Sequence, residues 1–247
     1  MKGYLYKEIK QNRVYIFLTA LAALCAAFLP IIIIMLSEKT IAREAFLIFA
    51  QSGMIIRVFC IAAAFIASLT FQSMTMKGDD TKKWGYFVAS NPKGIKGFIC
   101  TKYAFVGALA LLMFLLSAGF DLIFTLIANT VGGIGIVNAA KVFLVLFFIQ
   151  LLYNSVELPL IIRFGAKVGN TVKLILAIIV SIIIALIFIF NPAGLASFIS
   201  MAVMEGDFSA VPKLIKWLMP VVSMMLYVLS CLLSCRLYMK GVNGNYK

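Results

Sequence analysis

Residues 14–36, VYIFLTALAALCAAFLPIIIIML, carry no charged side chain. A helix rises about 1.5 Å per residue, so a run of this length crosses a hydrocarbon core of about 30 Å. Lipid tails cannot hydrogen-bond a loose backbone, so such a run must be helical. Five further apolar stretches follow, near residues 54–76, 99–126, 142–162, 172–190 and 214–237. The predicted class is therefore all-α: a polytopic membrane protein with six transmembrane helices and a single membrane domain over residues 1–247. Pro30, Pro159 and Pro220 fall inside these stretches, where a kink is tolerated if neighbours satisfy the freed backbone.

The net charge of +13 does not point to nucleic acid, because the charges sit in short segments between apolar runs. Membrane lipid headgroups and the positive-inside rule account for them. If the six spans alternate, one side collects sixteen Lys and Arg, from the N-terminus, the 77–102 region, the 163–173 region and the C-terminus; the other holds five. This predicts a multi-pass protein of a bacterial plasma membrane with both termini in the cytoplasm. Residues 1–13 follow an amphipathic pattern, with Met1, Tyr4, Leu5 and Ile9 on one face and Lys2, Lys7 and Lys10 elsewhere. An interfacial helix at the headgroups and an ordinary basic flank both fit it.

The five cysteines make no disulfide framework, and Cys231 and Cys235 are spaced i, i+4. With no histidine in the chain, they read as buried small hydrophobes rather than metal ligands. No G-x-x-x-x-G-K-[ST] loop is present, so the chain cannot cradle ATP in that way, and H-E-x-x-H and G-x-S-x-G are also missing. A membrane enzyme is disfavoured on those grounds.

Between the second and third spans lies KGDDTKKWGYFVASNPKGIKGF. Asp79 and Asp80 suit a helix N-terminus, where carboxylates accept backbone N–H groups and meet the positive end of the dipole. Pro92 ends that helix. Trp84, Phe87 and Val88 make an apolar face at i, i+3, i+4, with Lys82, Lys83 and Tyr86 around it. Such a helix rests on lipid headgroups or seats in a groove of a partner protein.

Three ionisable residues lie within spans: Arg57, Asp121 and Glu157. A charge at the bilayer centre costs about 2.5–3.5 kcal/mol on insertion scales. Counted along their helices, Arg57 and Asp121 reach similar depth near the outer surface and are expected to pair, joining two helices. Glu157 lies beside Asn154 near the cytoplasmic end of its span, where it can bond that amide or the headgroup region. No chain of Asp, Glu or His crosses the bilayer, which disfavours a proton-driven carrier. The outer segment 191–213 is long and apolar, fitting an interfacial or re-entrant helix.

Several short motifs resemble the ABC-2 type transporter permeases, in particular the six-span group that includes exporters of phenol-soluble modulins and other antimicrobial peptides. They are MKGYLYKE at the N-terminus; Asp79, Asp80, Lys83, Trp84, Tyr86, Pro92 and Lys93 after the second span; Thr101–Tyr103 opening the third; and ELPLIIRFGAKVGN closing the fourth. The chain has Asn91 where that group often has Leu. The resemblance implies a permease subunit exporting amphipathic peptides. It makes residues 79–92 a coupling helix, with Trp84, Tyr86 and Phe87 filling a cleft in an ABC ATPase and Lys82 and Lys83 flanking it. It also implies two ATPase copies, which bind the ATP and Mg, and a second permease, identical or paralogous. An exporter of drugs or lipids, a membrane anchor without transport, and an ion-coupled carrier are the alternatives.

Overall fold

The computed structural model describes residues 2–40, 43–76, 94–127, 129–130 and 138–165, nine helical positions between 171 and 190, and residues 213–244. Six continuous helices are formed: α1 (Lys2–Gln11), α2 (Arg13–Thr40), α3 (Arg43–Met74), α4 (Gly94–Ile127), α5 (Ala140–Phe164) and α6 (Lys213–Gly244). Five of them, α2 to α6, contain stretches long and apolar enough to cross a membrane. No strand occurs among the described residues. The chain is thus an all-helical polytopic membrane protein. Eight of the nine positions between 171 and 190 fall in the remaining predicted span, 172–190, and all eight, the large hydrophobics from Leu174 to Phe190, are exposed. The predicted coupling helix, 79–92, and the outer segment 191–212 lie outside the described residues.

α4 is the centre of the bundle and packs against each of α1, α2, α3, α5 and α6. α2 pairs with α3, and α5 with α6. Two apolar layers hold these helices. Nearer the N-terminus-bearing end, Tyr4, Met76, Phe98, Ile99, Tyr103, Val106, Leu158 and Ile161 bury one another. Toward the opposite end the layer is built on small side chains, Ala23, Ala26, Ala64, Ala118 and Ala139, with Ile61, Met113 and Phe143. Small residues let helix backbones approach where no hydrophobic drive separates lipid from protein. The alanine-rich runs of α2 and α3 do meet this way, although Ala62 and Ala63 face outward.

α1 turns a polar face into the bundle. Tyr4, Glu8 and Asn12, at i, i+4, i+8, are buried, whereas Leu5 and Ile9 are exposed. An acid thus occupies the inward face, and the predicted apolar face is split. The cause is a cation on α4, described below. Asn12 interrupts the helix assignment, yet its N–H still donates to the Glu8 carbonyl at 3.0 Å, so α1 bends into α2 without losing its ladder.

Pro30, Pro159 and Pro220 lie within helices. Pro159 has no N–H for the Ser155 carbonyl four residues earlier. The Ser230 hydroxyl of α6 donates to that carbonyl at 2.6 Å. A neighbouring helix thus replaces the missing ladder bond. The Tyr103 hydroxyl lies 2.7 Å from both Ser230 and Ser234. Because the Ser230 proton points at Ser155, the chain runs from Ser234 to Tyr103 to Ser230. Ser230→Ala would leave the Ser155 carbonyl buried without its donor. We expect a loss of about 1–3 kcal/mol, read as a lower Tm of the detergent-solubilised protein, with Ser230→Thr close to the parent. α5 ends at Gly165, whose φ of +85° lies in the left-handed region that favours glycine. The Phe-Gly motif of the sequence therefore has a backbone role.

Candidate functional site: buried charges and a polar ladder

Three ionic or polar assemblies lie inside the bundle. Nearest the opposite end, Arg57 of α3 donates to Asp121 of α4 at 2.8 Å, both side chains being buried. The pair expected from sequence is formed. Asp121 does more: its second carboxylate oxygen accepts the Ala139 N–H at 2.7 Å. Ala139 is the N-cap residue of α5 and has no side-chain cap of its own. A carboxylate is well placed at a helix N-terminus, where backbone N–H groups lack partners and the dipole is positive. One anion therefore ties α3, α4 and the start of α5 together. This third role was not foreseen from the sequence.

Toward the N-terminus-bearing end, α3 and α5 hardly approach through their backbones, and long polar side chains bridge them. The Gln150 amide donates to Ser68 at 2.8 Å, and Asn154 donates to the Gln72 carbonyl oxygen at 2.8 Å. The Ser73 hydroxyl lies 2.6 Å from a Glu157 carboxylate oxygen and 2.9 Å from the Leu69 carbonyl, and can donate to one at a time. Glu157 thus meets Ser73, while its neighbour Asn154 turns to Gln72. The polar residues recur at i, i+4, i+7 on α5, so every rung points at the same face of α3. Gln72 Nε2 and Asn154 Oδ1 are buried with no hydrogen-bond partner among the described residues. Above the Gln150 rung lies a small cavity between α3, α4 and α5, lined by Ile61, Phe65, Met113, Phe114, Ser117 and Phe147 among others.

Lys102 supplies the third assembly. It is 1% exposed and donates to Glu8 of α1 at 2.7 Å and to the Thr75 carbonyl at 3.0 Å. Asn12 also donates to Glu8, at 3.0 Å. Thr75 follows the end of α3, where carbonyls lack helical donors and a cation is favoured. Read from the sequence as part of a basic flank, Lys102 is instead a buried link between α1, the exit of α3 and the first turns of α4.

Lastly, Cys100 of α4 joins Cys231 and Cys235 of α6. Their three sulfurs lie within 4.8 Å of one another. Asp79, Asp80, Lys82, Lys83, Trp84, Tyr86 and Phe87 lie outside the described residues. The geometry fixes only their attachment points, Met76 at the exit of α3 and Gly94 at the start of α4.

The family model for ABC-2 family transporter proteins matches residues 39–239. The chain belongs to this family. Comparison with curated proteins and with solved structures finds no match. As an ABC-2 transporter protein it is a membrane permease subunit of an ABC transporter, a transport component that associates with an ABC ATPase. The matched stretch takes in α3 to α6 and the segment between α3 and α4. α1 and nearly all of α2 lie before it, so the Lys102–Glu8 bond joins the matched stretch to a helix outside the match.

Proposed function

We propose that the chain is the permease of an ATP-driven exporter of amphipathic peptides in a bacterial plasma membrane. The observation that carries the permease part of this reading is the family match over 39–239, which includes the whole segment between α3 and α4. Two cytoplasmic ATPase subunits bind ATP and Mg and close on each other. Residues 79–92 act as the coupling helix, with Trp84, Tyr86 and Phe87 seated in the ATPase and Asp79, Asp80, Lys82 and Lys83 framing them. A second permease copy, or a paralogous one, completes the pathway. Support comes from the attachment of that segment: at one side it adjoins Thr75, whose carbonyl Lys102 holds, and at the other it opens α4, the helix that touches all the others. A displacement at the segment would therefore act on α4 and, through it, on the five helices that pack against it.

The test is co-purification from native membrane. The parent chain is expected to carry a P-loop ATPase, and the Trp84→Ala, Tyr86→Ala, Phe87→Ala triple variant to lose it while remaining monodisperse. An ATPase retained by the variant would remove these side chains from the contact. For substrate, ATPase activity of the reconstituted complex is expected to rise with a cationic amphipathic helical peptide. A rise with hydrophobic drugs or lipids but not with peptide would overturn the substrate class.

A further inference from the structure

We propose that Cys100, Cys231 and Cys235 form a thiolate site for one soft cation, Cu(I), which fastens the first turns of α4 to the end of α6. The sequence separates Cys100 from the other two by more than a hundred residues, and the fold brings all three sulfurs within 4.8 Å of one another. Cys100 Sγ and Cys231 Sγ are 3.8 Å apart. Bonds of about 2.3 Å, the length of a metal–thiolate bond, set sulfurs about 3.8–4.0 Å apart around a tetrahedral or trigonal centre. The cluster is therefore near ligand spacing before any metal enters, and small side-chain rotations complete it.

Packing alone does not require this convergence. A thiol is a weak hydrogen-bond donor and serves as a small hydrophobe wherever it lies. Here two helices each turn sulfur toward the same point, and all three thiols are only partly buried.

The donor set selects the ion. Thiolates favour soft cations such as Cu(I) and zinc. Structural zinc wants four protein ligands. The chain has no histidine, and the group of three thiols contains no carboxylate. Cu(I) is satisfied by two or three sulfurs. Each coordinating thiol releases one proton to solvent, and the copper stays Cu(I), so no electron donor or acceptor is needed. Lys96, one turn before Cys100, and Arg236, adjacent to Cys235, place cationic side chains in the same segments. Lys96 acts electrostatically on Cys235 and offsets part of the negative charge of a copper–thiolate centre.

The experiment uses the full chain in detergent, under anaerobic phosphine-reduced conditions, in a Cys25→Ser, Cys60→Ser background. Cu(I) is titrated in competition with bicinchoninate. One Cu(I) per chain is expected, with X-ray absorption showing sulfur ligands alone at about 2.3 Å. Cys100→Ser, Cys231→Ser and Cys235→Ser should each weaken binding by well over about 100-fold, beyond the 10–100-fold typical of losing outer-shell support. Should one serine variant misfold, the alanine variant at either other position is read instead. Copper affinity unchanged in a monodisperse variant, tighter retention of Zn(II) than of Cu(I), or no retained copper would each overturn the proposal.

Discussion

Asp121→Ala is expected to cost about 3–5 kcal/mol, the range for breaking a buried ion pair by removing one partner. The loss should appear as a fall in Tm in detergent and a reduced yield of membrane-inserted protein. The substitution has two consequences at once. It takes away the anion that neutralises Arg57, whose side chain is 3% exposed. It also removes the acceptor of the Ala139 N–H at the start of α5. Arg57→Ala should cost less, for two reasons. A carboxylate left behind can take up a proton and become neutral, whereas a guanidinium cannot lose one at any ordinary pH. The remaining Asp121 also keeps the Ala139 N–H and the positive end of α5.

The same geometry predicts how double variants behave. Arg57→Leu with Asp121→Leu should be more stable than Asp121→Ala alone, since no charge is left in the low-dielectric interior. It should still fall below the parent by about 1–3 kcal/mol for the Ala139 N–H. A charge swap, Arg57→Asp with Asp121→Arg, should rescue only part of the loss. It restores the pair but aims a cation at a helix N-terminus, where donors and a positive dipole already point. If the swap were no better than the worse single variant, the pair would have no stabilising role. Full rescue would show that capping α5 does not matter.

The spans were legible because the hydrocarbon imposes one rule on every residue within it, so a run such as 14–36 leaves little choice of structure. Helix ends were less so. α3 begins at Arg43, eleven residues ahead of the predicted span, because a helix can continue past the hydrocarbon where hydropathy no longer marks it. Arg57 and Asp121 were paired by depth alone, since each was a costly charge with one opposite charge at its level. Ala139 gave no signal, because a backbone N–H looks the same in every sequence. Ser68, Gln72, Gln150 and Asn154 did carry a signal, amides and hydroxyls at helical spacing in apolar runs. Their partners depend on which faces of α3 and α5 meet, and hydropathy does not encode that. Cys100 could not be matched to Cys231 and Cys235 without knowing that α4 runs beside the end of α6. Lys102 was misjudged because a lysine near the start of a span usually snorkels to headgroups. Here Glu8, on the helix that precedes the first span, draws it inward.

Lys102→Met is the sharper test of that last arrangement, and its expected loss is again about 3–5 kcal/mol. Methionine keeps most of the apolar stem but loses the ammonium, which lies 6.0 Å from the Phe98 ring centroid. What it removes is the ammonium between Glu8 and the Thr75 carbonyl. Glu8 then stays in the bundle with the Asn12 amide and a 3.5 Å approach from Lys7, a more exposed cation. Screening by solvent makes Lys7 a weak substitute. Glu8→Gln should be milder, since the amide oxygen still accepts from Lys102. Combining Glu8→Leu with Lys102→Met should recover much of the stability, because the buried charges leave together. Transport should not recover with it. The double variant removes the polar link that holds α1 and the exit of α3 to α4 and leaves only their apolar packing; on the proposed function, a displacement of the coupling segment would then be shared less tightly among them. The expected result is a well-folded complex, with Tm near the parent, whose ATPase activity no longer responds to peptide. A double variant that regained both stability and peptide response would make the Lys102–Glu8 bond a packing device alone, and coupling would then have to pass from segment 77–93 into α4 by another contact.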